Sequence, residues 1–113
     1  MTITKDGFDM NPEGKGFQPP PVPKSRKELL GLFDKNVAAA RAALAGASDA
    51  DLGKNWSFLN NGATVFSMPR MACLRTWVMS HTIHHRAQLG VYLRLNNIAV
   101  PSIYGPSADE GRM

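Results

Sequence analysis

Cysteine is almost absent from this chain of 113 residues: Cys73 stands alone. No intrachain disulfide can form, and a reducing compartment, the cytoplasm, is the expectation. No apolar run approaches the ~18 residues that mark a membrane span, and no basic start leads into an apolar signal segment, which argues against membrane insertion and secretion. Aromatic residues make up 8% of the chain and do not alternate with basic ones, so the base-stacking platform of a single-strand nucleic-acid binder is missing. The formal net charge of +4 is scattered. Lys24, Arg26 and Lys27 sit where a helix should start, and Arg75 and Arg86 fall away from the apolar stripe of a later helix. We read a solvated basic face, and expect neither a specific nucleic acid nor a membrane as partner.

Histidine is scarce too, and its placement is the most informative feature present. All three, His81, His84 and His85, fall within five consecutive residues of the helix-like run 74–95. Residues four apart share a helix face, so His81 and His85 can present two imidazoles to one point. A divalent transition metal accepts ligand nitrogens at about 2.0–2.1 Å, and catalytic sites usually take three protein ligands plus water. The pair is half of such a site, and the sequence holds no fourth histidine to extend it. Thr82 follows His81 where a zinc-protease helix of the H-E-x-x-H kind carries its glutamate base, so that chemistry is excluded.

One domain at most fits this length. Residues 1–24, rich in Gly and Pro and ending PPPVPK, show neither helical nor strand periodicity and read as an extended or polyproline-like segment. Residues 25–113 carry the helical domain. Ser25 with Glu28 forms a capping box, Leu30, Phe33, Val37, Ala40 and Leu44 follow at helical spacing, and Gly46 ends the run. Ser48 with Asp51 opens a further turn ending at Gly53. Alternation around Asn60-Asn61-Gly62, from Trp56 to Phe66, predicts a short hairpin or irregular crossing.

Ser67 is placed to cap the last long helix, with Pro69 in its first turn. At 100° per residue, Leu74, Trp77, Val78, His85, Gln88, Tyr92 and Leu95 fall within about 60° of His81, which puts the imidazoles in a buried stripe. Asn96-Asn97 stops the helix. Trp56, Trp77, Tyr92 and Cys73 read as core residues. The tail after Asn97 is loop, with Ile98, Val100, Ile103 and Tyr104 able to pack back and Asp109 and Glu110 on a charged surface.

The run from His81 through His85-Arg86-Ala87-Gln88-Leu89, then Tyr92-Leu93-Arg94 and Val100-Pro-Ser-Ile-Tyr104-Gly-Pro-Ser-Ala-Asp109, resembles the C-terminal part of the DinB-like, or DinB/YfiT, superfamily. The resemblance extends from about Ser25 to the end and is strongest over residues 77–109. It implies an all-α fold, an incomplete four-helix bundle with two long helices, and a divalent ion such as zinc or nickel as cofactor. In that family a histidine from the second helix joins two histidines four apart on the last long helix. Carried over, His81 and His85 match the paired ligands, and His84 matches a neighbouring position, not itself a usual ligand, able to orient a partner or line the pocket; with no Asp or Glu in the helix stripe, His84 is also the nearest candidate proton carrier. Several relatives act as thiol-dependent transferases or isomerases, which implies a small-molecule or thiol substrate.

The family's first helix and its ligand-bearing second helix should precede residue 1, so Met1 reads as an internal start and the third ligand is missing from this chain. Unpartnered apolar stripes would then favour a homodimer. Two functions compete: a metal-dependent transferase or hydrolase-like enzyme in full-length form, and a non-catalytic helical binding or stress-response module with a vestigial metal site.

Overall fold

The computed structural model describes residues 2–111. It divides into two compact units, Met1–Leu74 and Arg75–Met113.

The first unit is built on a sheet. Strands β2 (Asn55–Asn60) and β3 (Ala63–Pro69) pair antiparallel, and β1 (Gly7–Asp9) adds to β2 in parallel. The β2–β3 turn is what its residues demand. Asn60 faces Ala63 across a two-residue loop, and Asn61 and Gly62 both take positive φ, 51° and 78°, the requirement of a tight hairpin turn matched to strand twist. A bulge follows, with Phe58 opposite Phe66 but Leu59 opposite Thr64. Val65 is thereby the extra residue, and it is exposed.

Strand β1 comes from the segment expected to be unstructured. Gly7 makes its approach possible, since a Cβ there would lie 2.6 Å from the Ser57 carbonyl oxygen. Asp9 then ties the strand to the hairpin tip, its carboxylate accepting from the backbone N–H groups of Asn61 at 3.0 Å and Gly62 at 2.8 Å. The Asn11 N–H donates to the same carboxylate. These backbone donors, Asn11 first, hold the Asp9 carboxyl below the usual carboxylate range.

The expectation of an all-α, incomplete four-helix bundle is therefore corrected: helices accompany a three-stranded mixed sheet. The Trp56–Phe66 alternation has the period of a strand, and β1 lengthens that hairpin into a sheet through a pairing some fifty residues apart in sequence, which no local pattern announces. The sheet also carries the aromatic packing. Trp56 and Cys73 are the buried apolar residues among those described. Trp56, Phe58 and Phe66 face one another with ring centroids 5.4–6.4 Å apart, and Phe8 from β1 lies 6.3 Å from Phe58.

Helix α1 (Arg26–Ala45) forms with the caps expected, the Glu28 N–H donating to Ser25 Oγ and Gly46 closing the end. Its stripe is not covered, however: Phe33 keeps 62% of its surface and no α1 residue is buried. Helix α2 (Asp49–Gly53) has a complete Ser48–Asp51 capping box. Lys54 and Ser48 together pull the Asp51 carboxyl far below its ordinary value.

Ser67 does not cap a helix. It lies within β3, and helix α3 (Arg70–Cys73) starts after Pro69, whose extended backbone and lack of an N–H suit the strand end. Arg70 is buried and reaches Asp6 at 2.7 Å. Burial raises the Cys73 thiol pKa, and Thr2 hydrogen bonds to it. Cys73 is thus the small core residue the sequence indicated.

Candidate functional site

Helical backbone continues from Leu74 through a seven-residue π-helical segment, Leu74–Ser80, into α4 (His81–Leu95). Ser80 Oγ donates to the Arg75 carbonyl five residues back at 3.0 Å, and Thr82 Oγ1 donates to the Val78 carbonyl at 2.7 Å. A π ladder turns less per residue than an α-helix, so a 100° projection does not carry Leu74, Trp77 and Val78 onto the histidine face in the way assumed above. The stripe is also not buried. No residue of α4 is, and Trp77, Tyr92 and Leu95 keep 49%, 60% and 73% of their surface, which corrects the reading of Trp77 and Tyr92 as core.

The two imidazoles one turn apart do converge. His81 Nε2 and His85 Nε2 lie 2.6 Å apart, with ring centroids at 4.6 Å and planes 29° from parallel. Tetrahedral coordination at about 2.0–2.1 Å sets two ligand nitrogens about 3.3 Å apart. The pair fits two adjacent positions of such a sphere after opening by about 0.7 Å, within reach of small χ changes on exposed side chains. Among the described residues no group of three or more His, Cys, Asp or Glu side chains is gathered to hold an ion. The two imidazoles thus meet without a third such side chain gathered beside them among the described residues.

His84 is not part of this convergence. Its ring meets that of His85 edge-on at 5.1 Å, beside the pair. Trp77 lies on the other side, its ring centroid 6.3 Å from that of His81.

The residue that sequence reasoning undervalued is Gln88, counted only as a member of the stripe. Its Oε1 lies 2.8 Å from His85 Nδ1. The signal was present, since positions three apart on a helix are neighbours.

The tail also does more than expected. Arg94 grips Asp109 with two hydrogen bonds, 3.0 and 2.6 Å, and Asp109 accepts from the Val100 N–H at 2.9 Å. Arg94 first, then the Val100 amide, lowers the Asp109 carboxyl below its ordinary range. A bidentate guanidinium–carboxylate pair of this kind fixes geometry as well as charge, and here it closes the loop from Val100 to Asp109 back onto α4. Tyr104, expected to pack back, is fully exposed, and Ile98 and Ile103 are about half exposed. Val100 is the tail residue that does return, its Cγ1 lying 3.8 Å from the position a Cβ on Gly90 would take. No helix of the described residues is long and apolar enough to cross a membrane.

A family model described as DinB family covers residues 18–112, whereas no curated protein and no solved structure matches the chain. The matched span takes in α1, the β2–β3 hairpin, the histidine helix and the Arg94–Asp109 closure. By that coverage the chain belongs to the DinB family.

Proposed function

We propose that His81 and His85 supply two ligands to a divalent transition metal, zinc or nickel, and that the complete site serves a metal-dependent reaction of the transferase or hydrolase kind on a small-molecule or thiol substrate. The observation that carries this reading is the 2.6 Å approach of the two Nε2 atoms. Without an ion the two nitrogens at this distance can share a single proton, whereas an ion between them would use both lone pairs and both ligands of the pair. Such an ion, when bound, lowers the pKa of a coordinated water or thiol toward neutrality.

The chain's own residues then divide the work. His81 and His85 bind, from a helix that holds their spacing. His84, edge-on to His85, is the proton carrier we assign, because α4 carries no carboxylate for that task. The third ligand comes from outside this pair. A homodimer is one source, since two copies joined about a two-fold axis could bring four imidazole nitrogens together.

The absence of a third donor among the described residues favours a second reading, a non-catalytic helical binding or stress-response module in which the histidines are vestigial. Competition with a chromophoric chelator separates the two. The metal reading expects zinc or nickel to bind the chain at least about 10-fold more tightly than either His81→Ala or His85→Ala, because each substitution removes one of two nitrogens. Equal affinity across the three proteins establishes the second reading.

A further inference from the structure

The geometry points to Gln88 as the residue that sets the tautomer of His85. An amide oxygen can only accept a hydrogen bond, so with Gln88 Oε1 at 2.8 Å from Nδ1 the His85 proton sits on Nδ1, donating to Gln88. Nε2 is left with a free lone pair. That lone pair is the one 2.6 Å from His81 Nε2. A neutral imidazole places its proton on one nitrogen or the other, and the hydrogen bond made by the first decides whether the second can ligate.

The two histidines are therefore not equivalent. His85 is set for coordination through Nε2 before any ion arrives. His81, by contrast, meets that lone pair with its own Nε2. With the His85 Nε2 lone pair facing it, the His81 Nε2 is the donor side of the 2.6 Å contact. Gln88 is thus a positioning residue acting through His85. It sits three residues beyond His85, where the helix backbone alone holds the two side chains adjacent, so the arrangement needs no tertiary packing. That suits a helix without buried residues. Outer-shell partners of this kind fix ring orientation and ligand basicity, and their loss commonly costs 10–100-fold in metal affinity.

The inference rests on the metal reading for its purpose, but its test does not depend on that reading. Long-range 1H–15N correlation spectra of the metal-free chain distinguish a pyrrole-like from a pyridine-like nitrogen at each histidine. The expected wild-type pattern is pyrrole-like Nδ1 and pyridine-like Nε2 at His85. Gln88→Leu, close in size and unable to accept, should shift His85 toward the opposite tautomer. Gln88→Glu, which keeps an acceptor oxygen, should restore the wild-type pattern.

Zinc affinity by chelator competition should fall about 10-fold or more in Gln88→Leu and return to within a few-fold of wild type in Gln88→Glu. A His85 tautomer unchanged by Gln88→Leu, or a Gln88→Glu chain that behaves like Gln88→Leu, overturns the assignment. If the wild type binds zinc no better than His81→Ala, the metal reading fails, while the tautomer spectra still decide the role of Gln88. Far-UV circular dichroism of each variant separates a local effect from loss of the helix.

Discussion

Trp56 is the residue on which the sheet unit depends most. It keeps 7% of its surface and packs with Phe58 and Phe66 at 6.4 and 6.1 Å. A buried aromatic side chain removes roughly 150–250 Å² from water, which at about 25 cal/mol per Å² is about 4–6 kcal/mol. Part of that area is already hidden in the unfolded chain, and Trp→Ala losses in cores run about 3–5 kcal/mol. A core this small supplies about 3–5 kcal/mol in total.

Trp56→Ala should therefore abolish the cooperative unfolding of the sheet rather than weaken it. Trp56→Phe is the informative control. The Trp56 Nε1 is buried without a hydrogen-bond partner, and an orphaned donor of that kind costs about 1–3 kcal/mol. Phenylalanine gives up some area but relieves that cost, so its net loss should be about 1 kcal/mol or less. Urea unfolding followed by circular dichroism reads both variants. A Trp56→Ala midpoint equal to that of the wild type, or a Trp56→Phe chain as damaged as Trp56→Ala, refutes the reasoning.

Acidification should open the tail. Asp109 has its pKa lowered in the folded chain, first by Arg94 and then by the Val100 amide. Its contribution is thus fully present above the ordinary Asp value of about 3.9 and is lost as pH falls through the depressed folded value. The Val100 amide, which donates to Asp109, should lose hydrogen-exchange protection in that acid range, and Asp109→Asn should show the loss already at pH 7; protection that does not depend on pH in the wild type contradicts the closure. Leu29, Phe33 and Leu44 on α1 keep 55%, 62% and 51% of their surface, more apolar exposure than an isolated helix face usually carries. Light scattering coupled to size exclusion should accordingly give about twice the 12.3 kDa chain mass, and a compact monomer at micromolar concentration argues against the homodimer.

What could be read from the residues alone was what neighbouring residues decide. Ser25 with Glu28, Ser48 with Asp51, and Asn61-Gly62 each complete their motif within four residues, and each sits where its motif predicts. The convergence of His81 and His85 is of the same kind, an i, i+4 relation that needs only a helix. What escaped the sequence reading was set by partners far along the chain. Gly7–Asp9 has no strand periodicity of its own and becomes a strand because Ser57, Phe58 and Leu59 offer it an open edge. Asp6 and Arg70, 64 residues apart, meet for a comparable reason.

The four-helix expectation failed on both kinds of ground. Period-2 alternation at Trp56–Phe66 was present and was read as a minor crossing, while the strand that turns the hairpin into a sheet was invisible locally. The approach of His81 and His85 does not depend on the bundle. The pair and its Gln88 partner all lie within eight residues of one helix. One helix therefore fixes the spacing of His81, His85 and Gln88 by itself, and under the metal reading proposed above a further donor would decide whether an ion stays rather than where it sits.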